Sequence, residues 1–427
     1  MRSRSCSTPA HRRPDRVSPP APLTGAAEES PSPELLSIGD ALALVLARAA
    51  PLAPEQVPLE HARGRFAAED VSAAIDLPPF ASSAMDGYAV RAGDTPGRLE
   101  LVGESAAGSP YTGGLAPGEA VAISTGAVVP DQTDAVVPLE DVEREGQQVV
   151  LGSAVAAGAF VRERGSDIRR GQRLLAAGTL LGPAQIGAAA AAGLATISCR
   201  ERPSVAVLST GSELRQPGGQ LADGEIFDAN TPMLKASLEA GGARVEQILP
   251  AADTREAHRA ALEQALGHDV VVSSGGVSVG AHDLVRDVGR ELGIDEVFWR
   301  IALRPGKPLA FGVRDATLVF GLPGNPVSSL VCCELFVRPA LLALQGAASV
   351  MPAWRSGSLS SPVARNARRD HLIRVRLSES GRSVALAPLP GQESHQIAIT
   401  AQADGLAWIP SGAGELPAGT EVAYLPL

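Results

Sequence analysis

Lysine is almost missing from this chain: only Lys235 and Lys307 occur among 37 basic side chains, so arginine is the default cation and each lysine stands out. Cysteine is scarce as well. The four, Cys6, Cys199, Cys332 and Cys333, include no Cys-x-x-Cys pair and no histidine at ligand spacing, which argues against a zinc site or a disulfide framework. Free thiols in a reducing compartment fit that pattern. No run of about 18 apolar residues occurs, and the arginine-rich start lacks the apolar stretch of a signal peptide. Membrane insertion and secretion are therefore not expected, and the expected compartment is the cytoplasm. Net positive charge is also lacking. At a formal charge of -10 the chain carries no broad basic footprint for nucleic acid, so an anionic ligand must be met by local charge.

What is present is enough apolar material for a folded core: 45% hydrophobic and 20% charged residues over 427, which suggests two to four domains. Residues 1–33 are rich in Ser, Pro and Arg, cannot repay the entropy of ordering, and are expected to form a disordered tail. From Ser37 the segment SIGDALALVLARAAPL puts Ile38, Ala41, Leu42, Val45, Leu46 and Ala49 on one helical face, with Ser37 as N-cap. A second helix is expected after Gly182, opened by Pro183 and stopped by Gly193. We expect 34–70 and 169–200 to form one discontinuous helical domain, with 71–168, whose short apolar runs are broken by Gly pairs, as an inserted β domain.

From Pro203 apolar strands alternate with helices, the pattern of a parallel sheet covered on both faces. The expectation is a doubly wound α/β domain over 201–346. Thr231 before Pro232, and Gly241, mark the ends of one of its helices. Residues 347–427 return to short strands and are expected to form a C-terminal β-barrel.

In an open α/β sheet ligands bind beyond the carboxyl ends of the strands. Three such loops are built of small residues: STGSEL with Thr210 and Gly211; SSGGVSVG with Ser274, Gly275, Gly276 and Ser278; GLPGNPVSS with Pro323, Gly324, Asn325 and Pro326. Small residues let backbone amides approach an anion, although one such loop alone is also ordinary turn chemistry. Asn325 and Pro326 additionally read as N-cap and first residue of the following helix.

Acidic residues sit beside these loops: Glu213, Asp253 and Asp283. Carboxylates near a phosphate site imply a divalent metal between them, magnesium for example, since bare anions repel. The bland alternative is helix-start acids stabilised by the dipole. RIALRPGKPLAF carries Arg300, Arg304 and Lys307 in a strand-turn-strand setting, either as anion donors or as surface charge on a hairpin. In the inserted domain, Asp86 of SSAMDGYAV precedes a glycine and reads most simply as a hairpin turn; Thr125 of ISTGAVVP and Asp167 of RERGSDIRRG occupy similar loops.

Taken in order, SSAMDGYAV, ISTGAVVP, RERGSDIRRG, LSTGSEL, SSGGVSVGAHD, RPGKPLAFG and GLPGNPVSS resemble the molybdopterin molybdenumtransferase family, which includes bacterial MoeA and the E domain of gephyrin. The resemblance runs from about residue 34 to the end. It implies four domains per subunit and an elongated homodimer, with a cleft between the α/β domain of one subunit and the β domain of the other. It implies the reaction too: adenylyl-molybdopterin and molybdate enter, magnesium assists, molybdenum is placed on the dithiolene, and AMP leaves. A pterin adenylyltransferase and downstream molybdoenzyme maturation proteins become candidate partners, while neither nucleic acid nor membrane is expected.

By motif position, Asp86, Thr125, Asp167, Glu213, Asp253 and Asp283 resemble the family's functional residues, Pro323 and Pro326 its rigid loop, and Ser394, more loosely, a residue of the final domain. Lys307 of the PGK motif is kept. Arg300 and Arg304 stand where relatives often have lysine, Ser212 and Ser166 where many have an acid, and His282 where many have alanine. Two rival readings share features of this sequence: an adenylyltransferase acting one step earlier on a similar α/β domain, and a non-catalytic scaffold.

Overall fold

The computed structural model describes residues 35–276, 284–380 and 383–427. The expected tail, and Ser278 and Asp283 in and just after the second of the three small-residue loops, lie outside them. The chain divides into two compact units, one spanning Pro54–Cys199 and the other made of the chain on either side, up to Ala53 and from Arg200 onward.

At the centre of the larger unit is a six-stranded sheet in the spatial order Arg244–Ala251, Ser204–Thr210, Val270–Ser274, Thr317–Leu322, Ala310–Arg314, Asp295–Trp299. The first four strands are parallel, as their apolar runs suggest; the last two extend the edge as an antiparallel hairpin. Alternation along each strand feeds two cores. Val205, Val207, Val270, Val272, Leu318 and Phe320 point to one face, and Ala206, Leu208, Val271 and Val319 to the other. Helices Arg255–Ala265 and Leu284–Glu291 cover the second face. Burial of each such valine, leucine or phenylalanine stabilises the unit by about 1.5–3 kcal/mol, which is why these strands read as continuous apolar runs.

The first face is covered by helix Asn230–Ala240, by the stretch Pro326–Leu344, and by helix Ile38–Leu46. The last of these departs from expectation. Its apolar face, Ile38, Ala41, Leu42 and Val45, is buried in the α/β core with Phe336 and Leu341 rather than in a domain shared with 169–200. The amphipathic pattern showed a face needing a partner but not which partner. Pro326–Leu344 is apolar and long enough to cross a membrane, yet 78% of it is buried inside the protein, as befits a core helix. Its middle turn, Cys333–Val337, is a π-helix. Pro339 explains this, since it has no N–H to give the carbonyl four residues back.

Strands Arg355–Leu359, Asp370–Ser380, Ser383–Pro388, Gly405–Ile409 and Glu421–Pro426 close into a five-stranded barrel, because Asp370–Ser380 pairs with both Ser383–Pro388 and Gly405–Ile409. The short strand Leu303–Arg304, leaving the α/β hairpin, runs parallel to Asp370–Ser380 and so stitches the barrel to the loop that carries Lys307.

The smaller unit has two parts, each with its own apolar core. A six-stranded sheet, ordered Ala135–Pro138, Gly87–Val90, Glu119–Ile123, Gly97–Ser105, Gln148–Leu151, Glu143–Glu145, buries Tyr88, Leu99, Val137 and Val149. The other core joins the segments flanking it: Pro54–Pro58 pairs with Thr196–Arg200 and Val71–Ser72 with Arg173–Leu175, beside helix Pro183–Ala191. Gly193, at φ +86°, follows that helix where only a residue without Cβ is unstrained.

Candidate active site

Strands Ser204–Thr210, Val270–Ser274 and Thr317–Leu322 are parallel neighbours, so the three glycine-bearing loops leave the sheet side by side at its carboxyl edge. They are then tied together. Thr210 Oγ1 donates to the Ser274 carbonyl at 3.0 Å, and the Gly275 N–H donates to the Leu322 carbonyl at 3.1 Å. Gly275 sits at φ +91°, and a Cβ there would lie 2.7 Å from Thr210 Oγ1. A Cβ on Gly324 would come to 3.7 Å from the Gly275 Cα. Glycine at 275 thus permits the loops to close on one another, and Gly276, at φ +69°, continues the turn.

Asn230 completes the knot. Its Nδ2 donates to Ser274 Oγ at 2.8 Å and to the Gly324 carbonyl at 2.7 Å, joining two loops from the first turn of a helix that belongs to neither. Its Oδ1 is buried without a partner. Asp228 anchors that turn by accepting from the Thr231 N–H at 3.0 Å and from Ser209 Oγ at 2.7 Å. The helix therefore begins at Asn230 under an Asp228 cap, not at Thr231. Neither Asn230 nor Asp228 was singled out from the sequence. The available signal was DANTP, two cap-type side chains ahead of a helix-opening proline.

The acidic residues gather on the first loop. Asp253 Oδ2 accepts the Ser212 N–H at 2.9 Å, while the Glu213 carboxylate folds back over Gly211, within 2.6 Å of where a Cβ would stand. Two carboxylates thus flank one three-residue turn beside the glycine loops. They are hard oxygen donors of the type that suits a divalent cation. Among the described residues no group of three or more metal-binding side chains assembles; the third expected ligand, Asp283, lies outside them.

Pro323, Gly324, Asn325 and Pro326 lead into the long core helix. Asn325 occupies its N-cap position, but its side chain makes no capping bond; Nδ2 instead donates to Ser394 Oγ at 2.9 Å, and the Val327 N–H donates to the Ser394 carbonyl at 3.1 Å. The expected cap is thus a bridge to the barrel. Arg374, almost fully buried, holds the loop bearing Ser394 through the carbonyls of Glu393 and Gln396, both at distances near 3 Å (3.1 and 3.0).

The three cations of the hairpin segment have different fates. Arg300, at φ +75°, stacks its guanidinium 3.6 Å from the Trp299 ring centroid, and Arg286 stacks at 3.8 Å. Two planar cations cannot share one face at that height, so they sandwich the ring. Arg304 instead faces the barrel, its Nη2 at 3.6 Å from Glu393 Oε1. Lys307 lies in the intervening turn, where its carbonyl accepts the Ile301 N–H, and it makes no ion pair among the described residues.

In the smaller unit Asp86 and Thr125 meet: the Thr125 N–H donates to Asp86 Oδ1 at 2.6 Å. That bond first, and the Thr125 hydroxyl second, hold the Asp86 carboxyl below the usual carboxylate range. Asp86 does not form the tip of a hairpin. Gly87 begins a strand paired on both sides, and a Cβ there would fall 1.9 Å from the Val137 carbonyl oxygen. Asp167 is exposed on a separate loop that wraps Asp76, whose carboxylate accepts from the Arg170 N–H at 2.8 Å and pairs with Arg164 at 2.7 Å. The three motifs share a backbone frame, since Ser82–Ser83 pairs with Val161–Arg162 and with the loop at Val128.

This fold and site define a class: a molybdopterin-binding α/β domain, matched over residues 206–343, set between a MoeA N-terminal region over 36–193 and a MoeA C-terminal region over 356–427. Two curated relatives match along nearly their whole length. The chain is 36% identical to molybdopterin molybdenumtransferase 2 of Mycobacterium tuberculosis H37Rv over 385 residues, covering 86% of this chain and 94% of that protein. It is 34% identical to the molybdopterin molybdenumtransferase of Synechococcus elongatus PCC 7942, covering 91% and 98%. The crystal structure of a molybdopterin biosynthesis MoeA protein from Pyrococcus horikoshii superposes with a TM-score of 0.79 at 34% identity, covering 92% of this chain and 99% of that one. The chain belongs to the molybdopterin molybdenumtransferase family.

Proposed function

We propose that the protein is an enzyme of molybdenum cofactor biosynthesis that inserts molybdenum from molybdate into adenylyl-molybdopterin and releases AMP. The observation that carries this reading is the knot of three strand-end loops, held by Thr210, Asn230 and Gly275, within a chain of which 91% matches a molybdenumtransferase over 98% of that protein's length. A pterin adenylyltransferase is disfavoured by that same full-length match, which includes the MoeA N- and C-terminal regions.

In this reading the amides of the Gly275–Gly276 and Gly324–Asn325 turns cradle the phosphates, and Pro323 and Pro326 keep the second turn from collapsing when the site is empty of ligand. Lys307, Arg300 and Arg304 supply the positive charge that a dianionic oxyanion needs in a protein of net charge -10. Glu213 and Asp253, with Asp283, would hold magnesium. Bound there, the ion would neutralise phosphate charge and polarise the bond to the leaving AMP. Asp86 stays ionised through the neutral range and accepts the Thr125 N–H.

The decisive experiment supplies purified protein with adenylyl-molybdopterin, molybdate and magnesium. AMP should be released in step with active cofactor, scored by reconstitution of a cofactor-free molybdoenzyme. AMP release that ignores molybdate would sink the proposal. Chelation with EDTA should abolish turnover if the metal reading holds. We further propose a cytoplasmic homodimer, checked by sedimentation of the purified chain.

A further inference from the structure

The edge strand Asp295–Trp299 is antiparallel to Ala310–Arg314, which is itself antiparallel to Thr317–Leu322. After two reversals it runs in the same sense as the strands that carry the glycine loops, and it ends at the same carboxyl edge of the sheet. Its last residue, Trp299, packs with Ala310 and Val285. Val285 in turn abuts the second glycine loop, since a Cβ on Gly276 would lie 2.7 Å from its Cγ2. One side chain therefore separates the indole from that loop.

Neighbouring side chains of an extended strand point to opposite faces. Arg300 does not obey this: at φ +75° it turns the chain so that its guanidinium folds back over the adjacent ring, 3.6 Å from the centroid. A left-handed conformation is strained for arginine and persists only where the surroundings impose it. Two backbone bonds do so here, the Arg300 N–H to the Leu309 carbonyl and the Ile301 N–H to the Lys307 carbonyl, each at 3.0 Å. Behind the ring lies Arg286, 3.8 Å from the centroid. Glu296 grips Arg286 through two bonds, from Nε to Oε2 at 2.6 Å and from Nη2 to Oε1 at 2.8 Å, which fixes the plane of that guanidinium and cancels its charge. Arg300 has no such carboxylate. It makes no ion pair among the described residues, and its Nε is buried there without a hydrogen-bond acceptor.

We propose that Trp299 is a positioning residue: backed by the neutralised Arg286, its indole holds the Arg300 guanidinium flat and keeps the N–H edge of that uncompensated cation turned toward an anionic group of the substrate. The inference rests on the functional reading above only for the anion's being substrate. Without the ring the cation is still present but samples several rotamers, and the entropy of fixing it again opposes binding. The ring thus acts through Arg300 or not at all.

The test is a double-mutant cycle on the full-length protein, titrated calorimetrically with sodium molybdate, inorganic phosphate and AMP at low ionic strength. Trp299→Leu should weaken the anion that Arg300 holds about tenfold, Trp299→Phe about threefold, and Arg300→Met at least as much as Trp299→Leu. The double variant should match Arg300→Met alone, because the ring has nothing left to position. A ring that merely packs the fold would weaken binding by the same factor whether or not Arg300 is present, and that additive result overturns the proposal. So does unchanged affinity in every variant, or a wild type that binds none of the three anions. Trp299→Phe keeps a ring against Val285 and Ala310 and is expected to retain the wild-type melting temperature, so the cycle run with it decides the matter even if Trp299→Leu unfolds. Because binding is read directly, a protein that shows this coupling but never inserts molybdenum would sink the functional reading and leave the role of Trp299 standing.

Discussion

The two units hold their motif loops by different means. Around the α/β sheet, side chains do it: Thr210 to Ser274, Asn230 to Ser274 and Gly324, Asp253 to Ser212, Asn325 to Ser394. In the smaller unit the loops are held largely by backbone, with the Ser83 N–H on the Ala127 carbonyl, Gly126 on Ser83, and Ala84 on Phe160; side chains add the bonds of Asp86 to Thr125 and of Asp76 to Arg170 and Arg164. A backbone frame tolerates side-chain loss but not an added Cβ. A side-chain knot degrades by degrees, one bond at a time.

The sharpest way to break the smaller frame is Gly87→Ala, whose methyl would overlap the Val137 carbonyl in a strand paired on both sides. We expect a loss of about 3 kcal/mol or more, seen as a lowered melting transition and rapid proteolysis within 54–199. A wild-type melt in this variant would show that the strand can shift freely. Asp86→Ala should leave the frame standing and reduce turnover roughly 100-fold. Asp86→Asn keeps an acceptor for the Thr125 N–H, so recovery of activity in it would mean that geometry, not charge, is required. The sign of the pH effect follows from the lowered carboxyl pKa. Any stability from this contact is present above the ordinary carboxylate range and lost as pH falls through the depressed value, so Asp86 cannot set an acid limb near neutrality.

On the other side of the comparison, Asn230→Ala removes two bonds between loops and leaves the sheet intact. The expected loss is about 1–2 kcal/mol, read as a KM for the adenylylated substrate raised about tenfold with little change in melting temperature. Asn230→Asp should be worse, because a carboxylate would face the Gly324 carbonyl without donors. An equal KM for both variants and wild type would mean that the loops need no tie.

These differences also mark what was legible. The glycine loops, the apolar strands and the break in character near Pro203 are local patterns, each decided within a dozen residues. The partner of helix Ile38–Leu46 was not legible, since an apolar face of Ile38, Ala41, Leu42 and Val45 fits any core of matching shape. Nor was Asn230, whose role exists only after strands distant in sequence have paired. Arg300 and Arg304, four positions apart in one motif, looked equivalent; the fold sends one onto Trp299 and the other to the barrel.

The smallest predicted effect separates two residues that look alike in sequence. Thr254 and Asn325 each precede a helix in the position of an N-cap. Thr254 Oγ1 accepts the Ala257 N–H at 3.2 Å, so Thr254→Ala should cost about 1 kcal/mol. Asn325 makes no such bond and Pro326 already opens its helix, so Asn325→Ala should shift the melting temperature less, while freeing the Ser394 hydroxyl. Its effect should fall on substrate binding instead. Comparing the two variants by chemical denaturation and by KM measures the distinction: if Asn325→Ala costs as much stability as Thr254→Ala and leaves KM alone, then Asn325 is a helix cap after all and the bridge to Ser394 is incidental.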